Sequence, residues 1–306
     1  MAKRYISQET FDAVVRENEE DFGLERSAAI LDAISQFKSQ GVDITGVDTT
    51  GGIGLEQLEL SWACVEDSAS SQEEKIEAFH TLIRVCSDDF EYSLRNQNLF
   101  RIKGWYYKLL QLLDHNLHPS LLYEIIALML ALCKTNVDNR DFFEPSGSGK
   151  LTSIIRTYLT QSNNGEHIKL LVVSFKLVSM VTKTENNKFM LFRDGLKDII
   201  PQTISRDCLE SDEIFELVRV ACHAMKVLCT QDDLRKEASC AMDNGKYFMN
   251  AGCVPHLINL SNLFRTRPLV ASAALSACRQ LVLTEEAVKV VAQHVCSFPQ
   301  YKLLNE

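Results

Sequence analysis

Residues able to do chemistry are present in this chain, but their spacing does not assemble a reaction. Gly147-Ser148-Gly149-Lys150 invites a phosphate-loop reading. Such a loop needs a glycine five residues before its last glycine, a Ser or Thr after the Lys, and a preceding strand. Position 144 is Glu and position 151 is Leu, so the stretch reads as an inter-helix loop. His115-Asn116-Leu117-His118 stands just before Pro119, with no Cys or Asp pair nearby, and a zinc site needs three or four converging ligands. No metal or cofactor is expected. Cys222 and Cys229 are seven apart, which is core spacing on a helix. Cys240 has the most polar surroundings of the ten cysteines and is the expected exposed thiol, with no histidine to activate it before His256. No Ser–His–Asp pattern occurs, and acidic pairs such as Asp88-Asp89 and Asp232-Asp233 read as solvated turns. A groove enzyme would have only His80, Lys176, His223 and Cys222 to work with, and apart from the neighbours Cys222 and His223 these stand at least one repeat apart. The expectation is a protein that is not an enzyme.

Composition narrows the class. At 306 residues the chain exceeds what one compact core usually serves. Only 6 prolines and 13 glycines disfavour a turn-rich all-β fold. Residues 1–60 hold 12 acidic and 5 basic side chains, so most of the net charge of −9 lies there and the remainder is nearly neutral. A binder of nucleic acid gains affinity by releasing phosphate counterions and needs a basic excess, so nucleic acid is not an expected partner. The N-terminus lacks a signal-peptide core, and the longest apolar run, Ile125 to Cys133, is far short of a membrane span. The expected location is the cytoplasm, with the nucleus also open, and no membrane attachment.

The elements that carry these residues read as helices. Phe11, Val14, Val15, Asn18 and Phe22 form one apolar stripe, and Ala29, Ile30, Ala33, Ile34 and Phe37 a second, both at helical spacing. Five glycines between Gly41 and Gly54 mark a flexible linker. The division expected is an acidic helical segment over 1–40, a linker over 41–60, repeats over 61–292 and a divergent tail over 293–306. Five long helices end alike, and Cys86, Cys133, Thr182, Cys229 and Leu283 are equivalent, spaced 47, 49, 47 and 54. After each of the first four endings come an aromatic or apolar pair and a glycine: Leu99-Phe100 to Gly104, Phe142-Phe143 to Gly149, Phe189-Met190 to Gly195 and Tyr247-Phe248 to Gly252. Ser211 reads as an N-cap, and Pro119 and Pro268 open long helices. A helical period in the forties points to an all-α, right-handed α-solenoid of about four to five armadillo/HEAT-like repeats, preceded by the N-terminal helical segment.

The run Ile6-Ser7-Gln8-Glu9-Thr10-Phe11-Asp12-Ala13-Val14-Val15-Arg16-Glu17-Asn18 and the run from Ala33 to Ile44 resemble the N-terminus of the armadillo repeat-containing protein 6 family. Val218 to Leu228, with Asp232-Asp233-Leu234-Arg235, resembles a later repeat of that family. The resemblance covers roughly 4–292, strong at the N-terminus and diffuse across the repeats. Two departures stand out: the loop after Asp233 has no histidine, and the chain diverges after Ala292. The resemblance implies an armadillo fold that holds other proteins.

In armadillo import receptors the third helix of each repeat presents Trp and, four residues on, Asn to an extended peptide. The positions six and two before the helix-end markers are His80/Arg84, Ala127/Ala131, Lys176/Met180, His223/Val227 and Ala277/Leu281. None is Trp or Asn, and Lys176 and Arg84 would repel basic cargo. These positions read either as ordinary helix surface or as a groove of more apolar or anion-tolerant specificity, whose candidate protein-binding residues are His80, Arg84, Lys176, Met180, His223, Lys226 and Val227. The expected function is a scaffold or adaptor binding proteins or peptides; the alternatives are an importin-like transport adaptor or an enzyme subunit with a groove site. Phe11, Val14, Val15 and Phe37 are expected to dock the acidic helices onto the repeats.

Overall fold

The computed structural model describes residues 4–292 except 45, 46, 48, 50–54, 88, 90, 91, 115, 145, 162, 163, 206–210, 283–287, 290 and 291. Apart from one two-residue parallel pairing, β1 (Arg4–Tyr5) with β2 (Val42–Asp43), the described regular structure is helical. The chain divides into two compact units. One holds residues up to Leu112 together with Ala127–Asn139; the other holds Leu113–Ile126 and the residues from Arg140 on.

The first unit begins with a helical hairpin, α1 (Gln8–Phe22) and α2 (Arg26–Ser39). Ser7 starts α1 by accepting the Thr10 N–H at 3.1 Å, and Gly23 ends it in the left-handed conformation, φ 64°. The two stripes read from the sequence meet each other. Phe11, Val15, Ala29, Ala33, Phe37 and Val47 are buried together, with Val14, Ile30 and Ile34 packed against them. Phe11 and Phe37 lie 6.0 Å apart between ring centroids. Buried Asn18 satisfies itself inside the hairpin, donating to the Ala29 carbonyl at 3.2 Å and accepting from Gln36 at 3.3 Å. The stripes were expected to need the repeats as a partner. Each instead has the other, because the short turn at Gly23 folds them face to face. Phe22, at the helix end, is exposed.

Helix α3 (Leu55–Glu66) starts within the stretch expected to be linker, since the polar-apolar pattern from Leu55 on is helical despite the glycines before it. It packs against α4 (Gln72–Cys86), which opens on a reciprocal capping box between Ser71 and Glu74. Then come α5 (Ser93–Ile102), α6 (Trp105–Gln111) and α7 (Pro119–Cys133), whose second half belongs to this unit. Trp62, Phe100 and Trp105 form its aromatic core, with centroids 5.3 to 5.6 Å apart.

The second unit contains α9 (Gly147–Thr160) and α10 (Gly165–Val181) after the short α8 (Val137–Asp141). Two more triplets follow. The first is α11 (Glu185–Leu191), running through a π turn at Phe192–Leu196 into α12 (Lys197–Ile204), then α13 (Asp212–Leu228). The second is α14 (Ala241–Asn250), α15 (Cys253–Leu263) and α16 (Pro268–Leu281). The third helices stack directly, α10 on α13 and α13 on α16. Ser211 caps α13 as its sequence position suggests, accepting from Ile214 N–H at 3.3 Å, and Pro268 opens α16.

Candidate functional site

The exposed faces of α10, α13 and α16 form the candidate surface. On α10, Lys169 and Lys176 are exposed, with half-buried Val172 and Met180, and exposed Lys183 follows just past the helix end. Steps of three and four residues keep the four helical side chains on one face. On α13 the matching face carries Glu216, Arg219, His223 and Lys226. Glu216 joins the helices: Lys176 approaches it at 3.3 Å, and Arg219 donates two hydrogen bonds to it at 2.6 and 2.8 Å. These bonds hold the Glu216 carboxyl below its ordinary range, Arg219 contributing most. Burial, then Lys226, Arg219 and Lys183, lower the affinity of His223 for a proton, against an opposing pull from Asp232. Exposed Leu269, Leu275 and Arg279 extend the face onto α16.

Counting back from the helix ends located this face only in part. Lys176 and His223 are exposed and Met180 and Lys226 half-buried, as a binding surface requires. Val227 is 6% exposed and points into the core, as do Ala131, Ala277 and Leu281. Ala131, Val227 and Leu281, two before their markers, turn inward while Arg84 and Met180 do not, and on α13 the stripe passes one residue earlier, through Lys226. In the first unit His80 and Arg84 are exposed, His80 beside Glu77 at 3.7 Å and Arg84 donating to Gln57 at 3.3 Å. Ala127 is half-buried.

The groups considered for catalysis do not converge. Cys222 is buried, its thiol pushed up to about 12 by burial, while its neighbour His223 faces outward. Cys240 is half-buried rather than exposed. Burial, then the thiol's own hydrogen bond to Glu185 and that carboxylate's charge, push it up to about 12, and Glu185 also accepts the Cys240 backbone N–H at 2.6 Å. Among the described residues no group of three or more His, Cys, Asp and Glu is placed to hold a metal, and no helix is long and apolar enough to cross a membrane. Gly147–Lys150 is the first turn of α9. His115, Cys208 and Cys296 lie outside the described residues.

Sequence reasoning missed what joins the repeats behind this face. Asn96, Asn139, Asn187 and Asn244 are buried, one at each first helix, and each donates to a carbonyl at the end of the preceding third helix: Val85, Leu132, Val181 and Leu228, at 2.7 to 3.1 Å. Asn139 also reaches the Gln97 carbonyl at 3.0 Å, and Asn187 the Arg140 carbonyl at 2.6 Å. Four residues after each comes a buried Phe100, Phe143, Leu191 or Phe248, and four later a glycine: Gly104, Gly147, Gly195 or Gly252. The glycine in register is thus Gly147, which presses on the Phe143 ring and leaves no room for a Cβ, rather than Gly149 inside the helix. The signal was available as asparagine at a fixed eight residues before glycine.

Asp232-Asp233 is also more than a solvated turn. Asp232 is exposed, but Asp233 is 5% exposed. Arg235 grips it through Nε and Nη2 at 2.8 and 2.9 Å, and grips Asp141 through Nη1 and Nη2 at 2.6 and 3.0 Å. Asp233 also accepts the Glu185 N–H at 3.2 Å. Glu185 accepts from Ser239 and from the fully buried Lys188, which also donates to the Thr230 carbonyl. The loop between α13 and α14 is thereby tied to both earlier triplets of its unit.

Helical triplets stacked through their third helices define the class: this is an armadillo-like helical-repeat protein. Residues 3–79 match the model of the armadillo repeat-containing protein 6 N-terminal domain. Armadillo repeat-containing protein 6 of Homo sapiens is 26% identical over 304 residues, covering 94% of this chain and 56% of that protein; the protein of Pongo abelii matches to the same extent. The chain is thus similar to armadillo repeat-containing protein 6 along nearly its whole length, and to that family's N-terminal domain over residues 3–79. The chain spans about half the length of the curated relatives it matches. The crystal structure of an engineered protein shares the fold, with a TM-score of 0.61 at 14% identity, covering 78% of this chain and 87% of that one.

Proposed function

We propose that this protein is a non-enzymatic scaffold or adaptor that holds partner proteins on its third-helix surfaces, in the cytoplasm and with access to the nucleus. One observation carries the reading: α10, α13 and α16 stack side by side and present a shared outward face of charged and apolar groups. Stacked repeats make such a surface extended and rigid, which suits binding to another chain rather than enclosing a small substrate. The candidate nucleophile Cys222 is turned away from that face. An import-receptor role is disfavoured, since Trp and Asn are missing from the peptide-clamping positions and lysines stand on the face.

The test is photo-crosslinking in cells. A photoreactive amino acid at Lys176, His223 or Leu275 is expected to trap a discrete partner protein, and one at exposed Phe189 or Met242, on first helices, is not. Crosslinks confined to the first helices would refute the reading.

A further inference from the structure

The chemistry of the partner can be read from the charge left over on the same face. Lys169 on α10 and Lys183 just past its end have no acidic partner within ion-pair distance among the described residues, and neither do Lys226 on α13 or Arg279 on α16. At the α10–α13 seam Glu216 is shared by two cations, Lys176 and Arg219, and Glu213 lies against Gly165. Lys169, Lys176, Lys183, Arg219 and Lys226 still outnumber the carboxylates Glu166, Glu213, Glu216 and Asp232 around them, on a chain whose overall charge is −9. Like charges not fully balanced by counter-charges cost free energy, and a ligand that supplies carboxylates recovers it.

The apolar groups make the ligand more specific. Along α10 and just past its end the order is Lys169, Val172, Lys176, Met180, Lys183, so cation and apolar group alternate. A seven-residue step rises about 10.5 Å along a helix, which about three residues of extended peptide cover. Leu275 adds an exposed apolar contact on α16. A nucleic-acid backbone would use the cations but leave the apolar groups idle, and would be repelled by the chain's net negative charge.

Resting on the third-helix reading above, we propose that the α10–α13–α16 face of this protein binds a protein segment that carries both acidic and apolar residues. Carboxylates meet Lys169, Lys176, Lys183 and Lys226, and apolar side chains meet Val172, Met180 and Leu275.

The experiment is fluorescence anisotropy on the full chain with two labelled fifteen-residue peptides, one mixing Glu or Asp with Leu or Phe without strict alternation, the other with Lys in place of every acid. The acidic peptide is expected to bind at least tenfold tighter and to weaken as salt rises. Lys169→Glu, Lys176→Glu and Lys183→Glu combined should reduce its binding at least tenfold, and Lys246→Glu, on α14, should not. If the triple variant misfolds by circular dichroism, the Lys→Gln triple replaces it with the same expectation in direction. Equal binding of the two peptides, or no loss in the triple variant, overturns the proposal. So does tighter binding of a single-stranded oligonucleotide, which would make the face a phosphate binder. Crosslinks from Lys176 and His223 to a partner bound without regard to charge would leave the scaffold reading standing and sink only this one.

Discussion

At Asp233 a carboxylate that reads as loop decoration proves to be a structural anchor. The Arg235 hydrogen bonds hold its proton affinity far below that of an ordinary aspartate, outweighing burial, which acts the other way. An unfolded aspartate titrates near pH 4. A group depressed in the fold contributes its stability above that pH and loses it as the pH falls towards the native value. Asp233→Asn is therefore expected to lower the unfolding free energy by about 1–3 kcal/mol at pH 7, the range for hydrogen bonds to a charged group. Urea titrations at pH 7 and pH 3 should show the gap between wild type and variant closing at the lower pH. A gap unchanged at pH 3, or none at pH 7, would remove the anchor role. Sequence could not distinguish Asp232 from Asp233: adjacent, identical side chains part company only because the chain turns Asp233 towards the Glu185 N–H.

Between elements, the asparagines do what no helix end does alone. The last carbonyls of a helix have no partner within it, and those at Val85, Leu132, Val181 and Leu228 receive one from the next repeat's first helix. Asn187→Ala deletes donors to two carbonyls and should cost about 1–3 kcal/mol in chemical denaturation. Its exposed neighbour Asn186→Ala should stay within about 0.5 kcal/mol. Similar costs for the two would mean the buried bonds contribute nothing. The helices themselves were legible because apolar spacing and caps are local: Ser211, Pro268 and the repeated helix ends fall where their types predict. The rotation of each third helix about its axis was not, since packing sets it from outside the helix. That is why Lys226 sits on the half-exposed stripe and its neighbour Val227 in the core.

For the whole molecule, the distribution of charge and the grouping of contacts set different limits. The acidic residues before position 60 accompany a hairpin whose buried side chains come from residues 11–47 of the chain. Phe11 fills that small core, and truncating a buried Phe to Ala typically costs about 3–5 kcal/mol. A core this small has little stability to spare. Phe11→Ala should speed amide hydrogen exchange throughout α1 and α2 while α10 and α13 keep their protection. Equal loss of protection in all four helices would show that the hairpin and the repeats open together.

The asparagine-to-glycine spacing also governs which changes of length the gene can survive. From asparagine to buried Phe or Leu to glycine the count is constant in all four repeats, whereas the distance back to the carbonyl that the asparagine caps ranges from six residues at Val181 to sixteen at Leu228. Codons gained or lost before the asparagine lengthen or shorten a connecting loop, as between Cys229 and Cys240, so long as anchors such as Asp233 and Arg235 are kept. A single codon gained between Asn187 and Gly195 would rotate Leu191 out of the core or move the turn off its glycine. Natural length variation, tags and grafted peptides accordingly belong before each asparagine, and the eight residues after it form the ruler by which one repeat is measured onto the next.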